Sequence, residues 1–174
     1  MDIREVEEVL EVEDVTERDG APAVRWLDLD QQRAWRRLLR GSAVFFDGIN
    51  HDLEEQSGLA LSEYEVLVRL SEAEGRVLRM SVLAADLVQS RSRLTHTIGR
   101  MEKAGLVERR SCESDRRGVE CSLTPAGFAR LEKAAPAHVM SVRERLVDRL
   151  SDHQLQELGE IMALLADDDD QPPA

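Results

Sequence analysis

The sequence predicts a mainly α-helical protein that carries one small β-hairpin. Only 3% of its 174 residues are aromatic, whereas Leu, Ala, Val, Arg and Glu dominate, as is typical of helical proteins. Apolar residues recur at steps of three and four along most of the chain, and this period changes to two between residues 106 and 123. The length suffices for one globular core with an added oligomerisation element.

Both ends of the chain are strongly acidic. Residues 1–20 hold nine Asp and Glu residues against two arginines, so we expect residues 1–28 to form a mobile or weakly helical extension. Residues 167–174 contain four consecutive aspartates and two prolines, which predicts a disordered tail. The chain has no apolar run near the roughly 20 residues of a membrane span, and its acidic start is unlike a secretory signal. We therefore expect a cytoplasmic protein with no membrane partner.

Long helices are predicted at both ends of the folded part. Residues 29–58 carry a wide apolar stripe with helical spacing. Residues 125–166 carry two further striped helices: Pro136 should kink or divide the first, and Ser151 with Gln154 fits a capping box that opens the second. Three helices with apolar stripes exceed what one small lobe can cover, so both ranges are predicted to hold a homodimer together.

Between these ranges, residues 59–124 are predicted to form three short helices and a hairpin. Ser62 and Glu65 fit a capping box for the first helix, while Ser81 and Ser90 stand where they can cap the second and the third. In the third helix, three apolar residues at helical spacing form the predicted inward side, namely Leu94, Ile98 and Met101.

A hairpin with a charged tip follows the third helix. Residues 106–110 and 119–123 are predicted as two strands, and Thr124 with Pro125 then caps the next helix. Two short helices and a charged hairpin in this order make a winged helix-turn-helix. The later of these two helices, the third helix of residues 59–124, fits the major groove of duplex DNA. The hairpin, called the wing, lies along the minor groove or the backbone. The predicted fold is therefore a winged helix-turn-helix with N- and C-terminal dimerisation helices.

The charge distribution agrees with DNA binding by this fold, although the total charge of the chain disfavours it. A net charge of −12 disfavours binding to nucleic acid, because phosphate contacts need lysine and arginine. Residues 76–117, however, hold ten Lys and Arg residues and five Asp and Glu residues, a local charge of +5. A basic segment within an acidic protein is typical of a binding surface confined to one face, while ordinary clustering of surface charge is the alternative.

The third helix and the hairpin tip carry the predicted DNA-binding side chains. With the apolar residues of this helix turned inward, its polar residues turn outward or lie at the flanks. Which of them contact bases and which contact phosphates is left open, and a merely solvated turn is the alternative for the tip arginines. The predicted contact residues are Ser90, Arg91, Ser92, Arg93, Thr95, His96, Thr97, Arg100, Arg116 and Arg117.

Four motifs resemble those of the MarR family of bacterial regulators, and the likeness extends over roughly residues 30–165. They are LAxxLxxSRSxLT at 83–95, MEKxGLVxR at 101–109, DRR at 115–117 and LTxxG at 123–127. The resemblance implies a homodimer that reads a pseudo-palindromic operator in double-stranded DNA with two winged lobes. It also implies that Arg117 reaches the minor groove and that Asp115 braces the wing tip. His96 and Arg93 depart from the residues that are common in the family, so no base preference carries over.

The resemblance further implies repression that a small phenolic or anionic ligand relieves. In the family such ligands bind between the dimerisation helices and the winged lobe, which makes Trp35, His51 and Tyr64 candidate lining residues. Packing in the core or at the dimer interface is the alternative for Trp35. Repression rather than activation is the common mode of the family.

Other functions find less support in the sequence. A redox-responsive regulator would use Cys112, whose neighbours Arg109 and Arg110 favour a thiolate, whereas Cys121 is interpreted as a small core residue. A non-DNA-binding interaction module on the same scaffold is the second alternative. The four histidines are scattered, and no nucleophile motif or phosphate-binding glycine loop occurs, so we expect no enzymatic activity, no cofactor and no metal site.

Overall fold

The computed structural model describes residues 24–112 and 115–166, and the side chains of residues 112–117 lie outside this description. The described chain is mostly helical with one small antiparallel sheet, which confirms the predicted fold class. Its helices are α1 Leu29–Ser57, α2 Leu61–Glu72, α3 Met80–Asp86, α4 Arg91–Lys103, α5 Pro125–Arg145 and α6 Asp152–Ala166. Its strands are β1 Val77–Arg79, β2 Val107–Cys112 and β3 Asp115–Leu123. The predicted acidic tail, 167–174, and residues 1–23 of the predicted extension lie outside the described residues.

The chain divides into two units, Met1–Arg40 and Gly41–Ala174. The described part of the first unit, residues 24–40, contains the start of α1. Asp28 and Gln31 cap this start reciprocally: the Gln31 N–H donates to Asp28 Oδ1 at 2.8 Å, and the Asp28 N–H donates to Gln31 Oε1 at 3.0 Å. Large apolar side chains of this unit are exposed, namely Val24, Trp26, Leu27, Leu29, Trp35, Leu38 and Leu39. Apolar surface of this extent is typical of an interaction site.

The sheet has three antiparallel strands in the order β1-β3-β2. Val77 pairs with Ser122 and Arg79 pairs with Glu120, so β1 lies beside β3, at the edge of the hairpin that faces away from β2. Sequence reasoning missed β1, because three residues are too few to show an alternation of period two. Both hairpin strands are longer than predicted, since β2 extends to Cys112 and β3 begins at Asp115.

The predicted start of the first short helix is wrong. α2 begins at Leu61 with Ala60 as its N-cap residue, so Ser62 lies inside the helix. The N–H of Leu61 donates to Asn50 Oδ1 on α1 at 2.9 Å. A side chain from another helix therefore satisfies the N–H of Leu61, one of the backbone donors at the start of α2 that have no partner within the helix.

The predicted start of the second short helix is also wrong. α3 begins at Met80, and its N-cap residue Arg79 makes no capping hydrogen bond with its side chain. Because the strand pairing of β1 continues to Arg79, the chain passes directly from strand to helix. Ser81 therefore lies inside α3 rather than in front of it.

The remaining predicted caps are confirmed. Ser90 Oγ accepts the backbone N–H of the third residue after it at 3.3 Å, and Thr124 Oγ1 does the same at 2.9 Å. Ser151 and Gln154 form the reciprocal box in front of α6, at 3.0 and 3.3 Å. α5 runs through Pro136 without a break, so of the two predicted effects of this proline, a kink or a division, the division is wrong.

The core of the second unit holds α2, α3, α4 and the sheet together. Burying a large aliphatic side chain contributes roughly 1.5–3 kcal/mol, and each of these elements contributes at least two buried residues. The largest side chains with less than 2% exposure are Leu53, Val66, Leu67, Leu70, Leu83, Leu94, Ile98, Met101, Val107 and Cys121. One side of α4 is therefore held firmly by packing, and its position relative to the sheet is defined.

A charged contact joins α1 to α5 within the second unit. Asp52 Oδ2 accepts hydrogen bonds from Ser141 Oγ at 2.6 Å and from Arg145 Nε at 2.9 Å, and Asp52 Oδ1 accepts one from Arg145 Nη2 at 2.8 Å. The Ser141 hydroxyl and the Arg145 guanidinium hold the pKa of Asp52 below its usual value. Gly48 makes room for this guanidinium, because a Cβ there would collide with Arg145 Nη1.

Candidate nucleic-acid interface

Helix α4 separates an apolar inner side from a polar outer side. Leu94, Ile98 and Met101 are at most 1% exposed and pack in the core, as predicted. The side chains on the other side are exposed, namely Arg91, Ser92, Arg93, Thr95, His96, Arg100 and Lys103. The outward residues of this helix therefore form one continuous basic surface, and the capping residue Ser90 stands exposed at its start.

One predicted flank residue of α4 is absent from this surface. Thr97 is only 4% exposed, so the prediction that it lies on an exposed flank is wrong. It follows Leu94 by three positions and precedes Met101 by four, and these steps place it on the same inner stripe. Thr97 is therefore removed from the candidate contact residues.

An open groove of about 430 Å³ lies beside the start of α4. Arg91 and Thr95 were predicted contact residues, whereas sequence reasoning did not place Arg79 and Ser81 here, because they belong to the unpredicted strand β1 and to the start of α3. Pairing of β1 with β3 brings them beside α4. The lining of the groove includes Arg79, Ser81, Arg91, Thr95, Arg109, Gly118 and Val119.

Glu102 fastens the wing to the end of α4. Its Oε1 accepts the backbone N–H of Arg109 at 3.1 Å, and its Oε2 accepts hydrogen bonds from both Nε and Nη2 of the same arginine. The Arg109 side chain lowers the pKa of Glu102, and Glu102 in turn raises the pKa of Arg109. Because a bidentate pair restricts both partners, β2 keeps a defined position relative to α4.

The wing tip carries three of the predicted site residues. Asp115, Arg116 and Arg117 are the first residues of β3, and Asp115 pairs with Cys112 across the hairpin. Their side chains lie outside the described part of the structure. The DNA contacts of Arg116 and Arg117 and the bracing role of Asp115 therefore remain predictions.

A separate cavity of about 510 Å³ lies within the second unit, between α1, α2, α5 and the turn after α3. Of the three predicted ligand-binding residues, Tyr64 lines this cavity. His51 is exposed and is not part of the described lining. Trp35 belongs to the first unit, is 51% exposed and is likewise not part of that lining.

The cavity walls combine aromatic rings with partly buried polar groups. The rings of Tyr64 and His138 lie against each other, with centroids 4.4 Å apart and planes tilted by 33°. Burial lowers the pKa of His138 and raises the pKa of Glu65. His138 Nδ1 is buried without a hydrogen-bond partner among the described residues. Sequence reasoning missed Phe45, Glu65 and His138 as lining residues, because no spacing along the chain brings them together.

Comparison with known proteins agrees with this arrangement. The model of the MarR family matches residues 57–118, which extend from the end of α1 into the wing. The chain is 44% identical to AbsC, a MarR family transcriptional regulator from Streptomyces coelicolor with a solved structure. That match covers 83% of this chain and 97% of AbsC, with a TM-score of 0.77. The chain belongs to the MarR family.

Two further relatives are informative. Sco3205, a MarR family transcriptional regulator from Streptomyces coelicolor solved in complex with DNA, is 39% identical. The match covers 81% of this chain and 92% of that chain, with a TM-score of 0.78. The HTH-type transcriptional repressor YetL from Bacillus subtilis (strain 168) is 27% identical over 124 residues, 68% of this chain and 74% of that protein. As a MarR family member, the chain is a transcription regulator of the winged helix-turn-helix type.

Neither cysteine of this MarR family chain lies in α1. Cys121 is fully buried in β3, which confirms its predicted place in the core, and burial raises the pKa of its thiol to about 11. The side chain of Cys112 is not described, so the redox alternative remains a prediction.

Across residues 24–112 and 115–166, no group of His, Cys, Asp and Glu side chains is arranged to hold a metal ion. Within the same residues, no helix has the length and apolar character needed to cross a membrane.

Proposed function

We propose that this regulator binds a pseudo-palindromic operator in double-stranded DNA as a homodimer, and that it represses transcription in the cytoplasm until a small ligand releases it. The observation that carries the proposal is the two-sided helix α4. Its apolar side is buried in the core, while its other side is polar, basic and exposed beside the wing. Two relatives support the proposal: Sco3205 was solved in complex with DNA, and YetL is named a transcriptional repressor.

The outer side of α4 suits the major groove of DNA. A helix fits this groove, and its capped N-terminus presents backbone N–H groups to a phosphate. The groove beside α4 adds Arg79 and Ser81 to the proposed surface. The proposed contact residues on the helix and its cap are Ser90, Arg91, Ser92, Arg93, Thr95, His96 and Arg100.

The wing is proposed to supply the contacts outside the major groove. Arg117 enters the minor groove, where a guanidinium meets a negative potential that depends on groove width. Arg116 contacts the adjacent backbone, and Asp115 braces the tip. The contact between Glu102 and Arg109 supports simultaneous binding of α4 in the major groove and of the wing in the minor groove, because it holds β2 in a fixed position relative to α4.

Exposed apolar surface on the C-terminal helices supports the homodimer. α6 has no buried residue, and an amphipathic helix gains most of its stability from packing its apolar side. A second copy offers the same apolar residues, and an obligate interface buries on the order of 2,000 Å² or more. The exposed apolar residues of α5 and α6 are Val139, Met140, Ile161, Met162, Leu164 and Leu165.

Binding to the DNA upstream of the protein's own gene tests the proposal. In a retardation assay we expect a complex with this fragment that survives an excess of unrelated duplex. A chain that binds neither fragment would support the non-DNA-binding interaction module instead. Equal binding to both fragments would refute sequence-specific recognition.

The cavity of about 510 Å³ is the proposed ligand site. Small-molecule sites span about 300–1,000 Å³, and its aromatic walls suit an aromatic ring. The described lining contains Glu65, Glu72 and Asp86 against one arginine, Arg69, which is already paired with Glu72 at 3.4 Å. This excess of negative charge disfavours an anionic ligand, so we propose a phenol or an aromatic amine rather than an anion.

Three probes of similar size and different charge separate these ligand classes: phenol, benzylamine and benzoate. Phenol or benzylamine should release the operator complex. Glu65→Gln should weaken the response to benzylamine more than the response to phenol, because the amide removes the counter-ion of the ammonium group. Release by benzoate alone would refute the proposed charge preference, and release by none of the probes would argue against an aromatic ligand in this cavity.

A further inference from the structure

Arg100, on the outer side of α4, is held from behind by a residue of α2. Its Nε donates a hydrogen bond to Glu63 Oε1 at 3.2 Å. The Arg100 side chain is 60% exposed, whereas that of Glu63 is only 17% exposed. The arginine is therefore anchored at its inner nitrogen and otherwise largely open to solvent.

Glu63 is itself fixed in place. Its Oε2 accepts the backbone N–H of Ala60, the N-cap residue of α2, at 3.3 Å. Both carboxylate oxygens are thus engaged, one by the start of the same helix and one by Arg100. A carboxylate in the first turn is also stabilised by the helix dipole. Core packing of the neighbouring Tyr64, Val66 and Leu67 holds the backbone that carries Glu63.

This geometry leaves a defined part of Arg100 for DNA. A guanidinium is planar and presents five N–H donors in a rigid fork. With Nε bound to Glu63, the two terminal nitrogens make no hydrogen bond to the described residues. A fork whose direction is set in advance loses less conformational freedom when it binds a base edge or a phosphate.

We propose that Glu63 is a positioning residue for DNA recognition, which orients the Arg100 fork on the outer side of α4. The inference rests on the proposed DNA-binding surface and adds to it a residue that acts through another. Simple electrostatics predicts the opposite effect, because a carboxylate near DNA repels phosphate and its removal should strengthen binding. Since the two effects differ in sign, one variant distinguishes them.

Glu63→Gln is the decisive variant, because it keeps the size of the side chain and removes one acceptor. Its single amide oxygen can accept the N–H of Ala60 or that of Arg100 Nε, but not both. We expect operator affinity to fall on the order of 5-fold, with a smaller fall on random duplex and an unchanged melting temperature. In an Arg100→Ala background, Glu63→Gln should cause no further loss, because the group that it positions is gone.

A second variant, Arg100→Lys, tests the fork without changing the Ala60 cap, and a third variant serves as a charge control. Arg100→Lys keeps the charge but replaces the fork with one ammonium group, so it should lower operator affinity nearly as far as Arg100→Ala. Glu108→Gln is the matched control: it removes an exposed carboxylate that pairs with Arg110 at 2.8 Å on β2. This control should leave operator affinity unchanged or raise it slightly.

Unchanged or tighter operator binding by Glu63→Gln would overturn the proposal, as would an equal loss in the Arg100→Ala background. If Glu63→Gln lowers the melting temperature strongly, Arg100→Lys decides, and wild-type affinity of that variant would overturn the proposal. A wild-type protein that binds no operator would instead refute the proposed function. The two failures are therefore distinguishable.

Discussion

Helices α4 and α6 are both amphipathic and similar in length, with 13 and 15 residues, yet their apolar sides differ in environment. On α4 the apolar side is buried by the core of the same chain, which leaves a polar side exposed. On α6 no residue is buried, and the apolar side chains themselves are exposed. Helical spacing thus predicts an apolar side but not what covers it. We propose that DNA meets the exposed side of α4 and that a second copy covers α6.

Breaking the α6 surface should have the largest effect. Ile161→Asp combined with Leu165→Asp places two charges, one turn apart, where the second copy is proposed to pack. We expect a monomer in sedimentation and a loss of operator affinity of about 100-fold or more, because each half-site is then bound without its linked partner. The winged lobe should stay folded, since these residues are 53% and 62% exposed in the single chain.

A matched control adds a charge to the polar side of the same helix. Gln156 lies one turn before Glu160 and donates a hydrogen bond to it at 3.0 Å. The Gln156→Lys variant should remain dimeric. Persistent dimerisation of the double Asp variant would exclude this side of α6 from the interface. A wild-type protein that is monomeric at micromolar concentration would refute the homodimer.

On α4, removal of an exposed side chain should affect DNA binding and leave folding intact. Arg93→Ala is expected to weaken operator binding by roughly 1–3 kcal/mol, with a smaller loss on random duplex. Its free energy of unfolding should change by no more than about 0.5 kcal/mol, because the side chain is exposed. Titrations against both duplexes measure this, and equal losses would assign Arg93 to a phosphate contact.

The wing should show its contribution in the dependence of binding on salt. Arg117→Ala removes one proposed contact from each subunit, so the log-log salt slope should become shallower by about 0.9 per contact, or about 1.8 for the dimer. Thermal melts should be unchanged. A structural Arg117 bonded to Asp115 would give the reverse pattern, with a lowered melting temperature and the wild-type slope.

The smallest expected effect concerns the contact that holds α5, which carries part of the proposed dimer surface. The folded-state pKa of Asp52 is lowered, chiefly by the Ser141 hydroxyl and then by Arg145. Its contribution to stability is therefore fully present above the unfolded pKa of about 4 and is lost as pH falls through the lower folded-state pKa. Asp52→Asn should lower the free energy of unfolding by about 1 kcal/mol near pH 6.

Urea unfolding from pH 3 to pH 7 measures this difference between wild type and variant. The difference should shrink below pH 4, because the wild-type carboxylate is then progressively protonated. Ser141→Ala provides a second route to the same contact and should produce a smaller loss, since Arg145 retains both of its hydrogen bonds to Asp52. A difference that is independent of pH would contradict the proposed role of the ionised carboxylate.

The two sides of α4 were predictable from sequence to different degrees. Leu94, Ile98 and Met101 were assigned to the core correctly, because their spacing alone defines an inner side. Thr97 was assigned to the flank and is buried, because the inner stripe is wider than its most apolar members indicate. Arg79 was missed altogether, since its place beside α4 depends on a strand too short to predict.

The sequence by itself determined the helical periods, the caps at Ser90, Thr124 and Ser151, and the basic segment, because each of these depends on residues close together along the chain. Only the tertiary structure decided that Asn50 caps α2 and that Tyr64 stacks on His138. The same holds for Glu63 and Arg100, whose contact joins residues 37 positions apart. Such contacts follow from the packing of the whole core, which brings distant residues together, and no local spacing encodes them.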